Sequence, residues 1–217
     1  MQVVFLGLPG AGKGTQAANI TEDFGIPHIA TGDMFRSAIA AETALGKEVR
    51  GYLDAGLLVP DELTIRVVSD RLQASDAKQG FLLDGFPRTQ PQAVALDRIL
   101  ADLERPLTHV LYLEVAEEEL LRRLTGRRVC KQCGASYHSK FNPPHVDNVC
   151  DRCGGELSTR PDDEPQAVAV RLRENMQRTE ELVSFYTARG LLAKIDGEQP
   201  IGHVYDEIRW ILRGERV

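Results

Sequence analysis

Apolar positions along this chain follow two alternating rhythms. Short, nearly continuous runs fit strands: Gln2-Val3-Val4-Phe5-Leu6, Phe81-Leu82-Leu83, His109-Val110-Leu111-Tyr112-Leu113 and Leu191-Leu192-Ala193-Lys194-Ile195, with Pro27-His28-Ile29 a further short one. Between them, apolar residues recur at helical spacing. Such stretches run up to Phe24, then over about 34–55 with a break near Gly46, and over 61–74, 90–100, 117–125, 164–189 and 201–213. Strands apolar throughout belong to a sheet buried on both faces, and their alternation with helices predicts an α/β fold with a parallel sheet.

One stretch breaks the rhythm. Gly126 to Asp163 holds four cysteines, three prolines and four glycines without helical period, so it reads as a small insertion. With 217 residues in all, one compact unit carrying an insertion fits better than two equal domains. A chain of this size buries about 70% of its unfolded surface and needs no disulfides for its core. The sequence has no internal repeat.

Charge narrows the function. The chain has 26 basic and 32 acidic residues, a net charge of −6, which argues against a general nucleic-acid binder. No apolar run approaches the roughly 18 residues of a membrane span. The first residues offer no basic region and Lys13 interrupts the first apolar stretch, so a cytoplasmic location without a secretory signal is expected. Twenty of the basic residues are arginine and six are lysine. Arginine grips phosphate in bidentate fashion.

The candidate chemistry starts directly after the first strand. In Gly7-Leu8-Pro9-Gly10-Ala11-Gly12-Lys13-Gly14-Thr15 the glycines let backbone N–H groups turn around phosphate oxygens, while the following helix adds its positive N-terminus. Lys13 would reach the outer phosphates; Gly14 stands where the usual pattern places a hydroxyl, which moves to Thr15. Asp84 ends the apolar strand in Phe81-Leu82-Leu83-Asp84-Gly85-Phe86-Pro87-Arg88, at the sheet edge where α/β folds bind ligands. A carboxylate there would organise Mg²⁺ through water.

Inside the insertion, Cys130-x-x-Cys133 and Cys150-x-x-Cys153 are separated by sixteen residues and each pair is followed by glycine. Two such knuckles fit a tetrahedral four-thiolate zinc site, with two disulfides as the alternative that an oxidising compartment would favour. Four thiolates close the shell, so this zinc would be structural; His138 and His145 are substitute ligands in the same segment.

With these motifs in hand, the chain resembles the adenylate kinases, of the bacterial type with a long lid. The likeness rests on Gly7 to Thr15, on Thr31-Gly32-Asp33-Met34-Phe35-Arg36, on Asp84-Gly85-Phe86-Pro87-Arg88-Thr89, on Leu124-Thr125-Gly126-Arg127-Arg128 and on Arg160-Pro161-Asp162-Asp163. The resemblance implies the nucleoside-monophosphate kinase fold: a five-stranded parallel sheet in a core of residues 1–29, 60–125 and 164–217. It also implies an AMP-binding cover at 30–59 and a zinc-bearing lid at 126–163.

The implied reaction is reversible phosphoryl transfer from Mg-ATP to AMP, giving two ADP. Lys13, Asp84, Arg36, Arg88, Arg127, Arg160 and Arg171 would carry it, and the other arginines, with Arg122, Arg123, Arg173 and Arg178 among them, would lie on helix surfaces. On the ATP side the resemblance implies Gly10, Ala11, Gly12, Lys13, Gly14, Thr15, Arg127, Ser136, Tyr137 and Gln199. On the AMP side it implies Thr31, Arg36, Leu57, Leu58, Val59, Gly85, Phe86, Pro87, Arg88, Gln92, Arg160 and Arg171. A monomer without nucleic-acid or membrane partners is expected.

Two readings compete with this one: a kinase for another nucleoside monophosphate, and a zinc-ribbon binding module with a regulatory phosphate loop. Thr31, Gln92 and the long insertion favour AMP, and the missing basic surface disfavours the ribbon. His28, His109 and His203 have no partner at a diagnostic spacing, and Trp210 is expected to pack with Ile208 and Ile211.

Overall fold

The computed structural model describes residues 1–214; the last three positions of the expected core segment 164–217 lie outside them. Among these residues are eight strands: β1 (Gln2–Leu6), β2 (His28–Ala30), β3 (Phe81–Asp84), β4 (His109–Glu114), β5 (Arg127–Cys130), β6 (Ser136–His138), β7 (Leu157–Ser158) and β8 (Leu192–Asp196). Five of them form a parallel sheet in the order β2-β3-β1-β4-β8. The helices are α1 (Lys13–Phe24), α2 (Thr31–Ala40), α3 (Ala44–Asp54), α4 (Asp61–Leu72), α5 (Gln90–Asp102), α6 (Glu117–Thr125), α7 (Pro165–Thr187) and α8 (Ile201–Arg213).

The two-sided burial read from the strands is what the sheet delivers. Val3 and Phe5 of β1, with Leu82, Leu111 and Leu113, pack against Ala17 and Ile20 of α1 and Ile208 of α8. The alternate residues Val4 and Leu6, with Leu83 and Val110, pack against Val68 of α4, Leu96 of α5 and Leu182 of α7. In-register parallel pairing, such as Val3 with Leu82 and Val4 with Val110, brings every C-terminal strand end to one edge. The phosphate loop, Asp84, Thr31 and Gly197 all leave the sheet there.

Two expectations are corrected. The helical stretch 34–55 breaks at Ala41–Thr43, not near Gly46: Glu42 has φ +50°, and Thr43 caps α3 by accepting from the Gly46 amide at 3.0 Å. Gly46 is needed for close approach, since a Cβ there would lie 2.1 Å from the Ala38 carbonyl oxygen. The insertion has no α-helix among its described residues, as its lack of helical period implies, and its β6, β5 and β7 form a small antiparallel sheet. Its strands are two to four residues long, too short to leave a periodic signal. Trp210 is 52% exposed and turns away from the buried Ile208 and Ile211.

Candidate active site

The chain between β1 and α1 is a glycine-rich loop. Gly7, Gly10 and Gly12 have φ of +143°, +89° and +98°, and a Cβ on Gly7 would lie 2.9 Å from the Leu113 carbonyl. Only glycine accepts these angles without strain, so the loop's amides turn inward beside the N-terminus of α1. Gly14 and Thr15 lie exposed in the first turn. Lys13 folds back, donating to the carbonyls of Gly7 at 2.8 Å and Leu8 at 3.2 Å. Its Nζ stands 4.0 Å from Asp84 Oδ1.

Electrostatics at this point are unusual. Burial pushes the Lys13 ammonium down to about 8 against the pull of Asp84, and Arg88, Arg171 and Arg127 add to the depression. For Asp84 burial opposes ionisation, but Lys13, the His28 hydrogen bond and Arg88 outweigh it and hold the carboxyl at about 2. An ionised carboxylate at the end of β3 fits an Mg²⁺ held through water.

A pocket opens between α2, α3 and the loop after β3. Thr31, Arg36, Leu57, Leu58, Val59, Gly85, Arg88 and Gln92 line it, together with Asp162 and Arg171. Thr31 donates its hydroxyl to the Gly85 carbonyl at 3.0 Å, and Arg88 Nε donates to the same oxygen at 2.8 Å. Phe86 is buried and is joined to Pro87 by a cis peptide. Gln92 is 2% exposed, and much of its amide is engaged. Its oxygen accepts from the Arg88 amide at 2.7 Å, and its nitrogen donates to Asp61 Oδ1 at 2.7 Å.

Beside this pocket, arginines from several parts of the chain meet a set of carboxylates. Arg171 of α7 pairs with Asp162 at 2.8 Å and with Asp163 at 3.2 Å. Arg127 grips Asp163 through both Nε and Nη2. Arg36 pairs with Asp33 at 2.7 Å and faces Asp162 at 3.9 Å, and Arg160 reaches Asp33 at 3.3 Å. Arg160 Nε is buried without a hydrogen-bond partner. Burial, and then the neighbouring guanidiniums, push Arg160 and Arg171 down to about 10. Cations exceed carboxylates here, which suits an anionic ligand.

In the insertion the four sulfurs of Cys130, Cys133, Cys150 and Cys153 lie within 4.8 Å of one another. Cys130 and Cys153 are 3.5 Å apart, as are Cys133 and Cys150, and none is in a disulfide. Four sulfurs at these separations can surround a single ion. The two histidines are engaged elsewhere. His138 Nδ1 accepts from the Lys140 amide at 3.0 Å, and His145, largely exposed, pairs with Asp151 at 3.1 Å.

A family model for adenylate kinase matches residues 5–191. The chain is also 55% identical over 214 residues to an adenylate kinase of Bacillus pumilus, covering 99% of each chain. It is 54% identical over 216 residues to one from Lysinibacillus sphaericus, covering all of both chains. A Staphylococcus aureus adenylate kinase is 52% identical over 212 residues, covering 98% of this chain and 99% of its own. The chain belongs to the adenylate kinase family.

Within this adenylate kinase fold, two expectations for individual residues are corrected. Arg123 is not a helix-surface residue. It donates to the Gly197 carbonyl at 2.9 Å, stands 3.5 Å from the Ala11 carbonyl and pairs with Glu119 at 2.8 Å, so it ties the phosphate loop to the loop after β8. Glu119 four residues earlier on a helix was the available signal. His28 is not without a partner, because its Nε2 lies 3.4 Å from Asp84 Oδ2. That contact joins residues 56 apart on paired strands and leaves no local signature.

On the ATP side, Gln199 is exposed in the loop after β8, next to the Gly197 that Arg123 holds. Ser136 is exposed on β6, whereas Tyr137 is 7% exposed and turns its phenol into the insertion. Anything this pair offers a nucleotide comes from Ser136 or from backbone.

Proposed function

We propose that this adenylate kinase family chain transfers the terminal phosphoryl group of Mg-ATP reversibly to AMP, forming two ADP. The observation that carries the reading is convergence. The phosphate loop with Lys13, the ionised Asp84, and Arg36, Arg88, Arg127, Arg160 and Arg171 gather at one sheet edge beside the pocket.

An oxygen of the AMP phosphate attacks the γ-phosphorus of ATP; the new P–O bond forms as the bond to the β–γ bridging oxygen breaks, and ADP leaves. The attacking phosphate is already ionised near neutral pH, so no general base is needed. Catalysis reduces to in-line placement and neutralisation of charge. Arg36 and Arg88, beside Thr31, would hold the AMP phosphate. Arg127, Arg160 and Arg171 would follow the transferring group with Lys13, exchanging their carboxylate partners for phosphate oxygens. Asp84 would hold, through water, the Mg²⁺ that accompanies ATP, which would supply charge neutralisation at the phosphates.

Residues 30–59 and 126–163 serve as the two covers. Closing them excludes the water that would otherwise accept the phosphoryl group. The ion in the cysteine cluster is zinc, since four thiolates favour it and leave no open position for substrate. Every group the reaction needs lies on one chain, which supports action as a monomer, and no described helix is long and apolar enough to cross a membrane. A cytoplasmic location fits the free thiols.

The test is a coupled assay of ADP formation from Mg-ATP with AMP, UMP, CMP and GMP in turn. AMP should give the highest kcat/KM. Equal efficiency with UMP or CMP would assign the chain to another monophosphate.

A further inference from the structure

Tyr137 is the middle residue of β6 and packs against Cys130, Cys150 and Leu157 of the insertion. Its hydroxyl accepts a hydrogen bond from the Asp151 amide at 2.8 Å. The same oxygen lies 3.5 Å from Cys150 Sγ. A phenol has one proton to give, and the Asp151 amide, itself a donor, cannot receive it. Against a ligating thiolate, which has no proton to give, the hydroxyl is the donor of the pair and its proton points at sulfur. The pair is buried: Tyr137 is 7% exposed and Cys150 2%.

A sulfur in this position accepts one bond from the Tyr137 hydroxyl, just as Cys130 Sγ accepts one from the Gln132 amide at 3.4 Å. Donors to a ligating sulfur fix its orientation and stabilise the thiolate, and such outer contacts typically govern metal affinity by about 10- to 100-fold. Alternation along β6 adds a consequence. Ser136 is exposed and His138 half-buried, while Tyr137 between them faces inward. The same short strand thus bears the metal's outer contact and the expected nucleotide contact.

We propose that Tyr137 is an outer-shell residue of the metal centre, holding Cys150 by an O–H···S hydrogen bond, and not a nucleotide contact through its side chain. The inference rests on the zinc reading above. Asp151 is part of the same device, since its amide consumes the acceptor side of the hydroxyl and directs the proton to sulfur.

The experiment uses the full chain as wild type, Tyr137→Phe and Leu157→Ala. The last removes a neighbouring apolar side chain of the same small core, on the strand partner of Cys130, without removing a hydrogen-bond donor to sulfur. Zinc content of the wild type comes first, by elemental analysis; absence of zinc there refutes the zinc reading itself. Competition with a chromophoric chelator then reads affinity. Tyr137→Phe should bind zinc about tenfold more weakly than wild type, beyond any loss in Leu157→Ala. Cobalt substitution supplies a readout that packing does not move. Loss of a hydrogen bond to sulfur should shift the thiolate-to-cobalt charge-transfer band to lower energy in Tyr137→Phe and leave it in place in Leu157→Ala. Failure of Tyr137→Phe alone to take up cobalt also supports the assignment. An unshifted band with unchanged zinc affinity, or equal losses in both variants, would overturn it. KM for ATP should stay within about twofold in Tyr137→Phe with zinc restored; a large rise at full zinc content would return the phenol to the nucleotide site.

Discussion

His28 Nε2 stands 3.4 Å from one carboxylate oxygen of Asp84, while the other oxygen faces Lys13 Nζ at 4.0 Å. Asp84 is thus held between an imidazole on β2 and the phosphate-loop lysine, with its plane set by both. Replacing His28 by Leu removes one constraint and leaves Lys13 and Arg88 to keep the carboxylate ionised. Turnover should fall about five- to tenfold, or roughly 1–1.4 kcal/mol of transition-state stabilisation. His28→Gln, which keeps a donor, should recover most of it. Steady-state kcat at saturating Mg-ATP is the measurement, and unchanged turnover in the Leu variant would refute the positioning role.

Lys13 gives the pH dependence. Its buried ammonium lies at about 8, and the useful form is the cation. Above that value the free protein increasingly carries a neutral amine, so kcat/KM for ATP should fall as pH rises through about 8. Bound phosphates restore the positive form, so kcat should hold to higher pH. The free-enzyme profile reports the former and the complex the latter. A kcat/KM profile flat to pH 9.5 would contradict this.

Removing a preorganised cation should cost more than the histidine does. Lys13→Ala or Arg88→Ala each deletes a group aimed at phosphate charge, an effect of about 2.7–4 kcal/mol at comparable sites. We expect turnover to drop by at least about a hundredfold in each, with the fold intact by circular dichroism. Near-normal rates in both would remove the proposed site.

Gln92 has a structural share in the AMP pocket. It joins the Arg88 amide to Asp61, which also accepts from the Thr89 hydroxyl at 2.8 Å. Gln92→Ala leaves a buried N–H and a carboxylate oxygen without partners, at about 1–3 kcal/mol. It should lower the melting temperature and raise KM for AMP together. A raised KM with unchanged melting would mean that the amide serves the nucleotide alone.

Legibility in the sequence followed the range of the interactions. Strands buried on both faces announce themselves as apolar runs, and the phosphate loop is local because its angles demand glycine at fixed offsets. Arg127, Arg160 and Arg171 were reachable only by likeness to a family, since nothing local separates them from other arginines. The convergence of Arg127 on Asp163 and of Arg171 on Asp162 and Asp163 depends on how α7 docks, and Arg160 meets Asp33 across the chain. The His28 contact and the inward turn of Tyr137 were not legible, being decided by strand pairing and by which face of a three-residue strand meets the cysteines. The break at Ala41–Thr43 was misplaced because Gly46 was read as a helix breaker when it serves close packing.

The last prediction concerns the metal. The buried core of the insertion comprises Cys130, Tyr137, Cys150 and Leu157, of which two are ligands. Burying the other two side chains contributes about 1.5–3 kcal/mol each, far below the ordering cost of a segment this long at about 1–2 kcal/mol per residue. On the zinc reading, ligation adds to the local stability, as a ligand bound by the folded form alone does. One zinc per chain is expected. Acid or a strong chelator should release it, because only thiolates bind. Release, or Cys150→Ala, should lower the melting temperature by at least about 5 °C, equivalent to roughly 2 kcal/mol for a chain of this size. Lys13, Arg36, Arg88 and Arg171 lie outside the insertion, so the metal-free protein should keep appreciable turnover well below its melting point. Calorimetry with and without chelator, alongside the ADP assay at a low temperature, reads both effects. Unchanged melting after confirmed metal loss would show that the insertion holds itself together, and abolished turnover with the fold unchanged would place the ion in the chemistry.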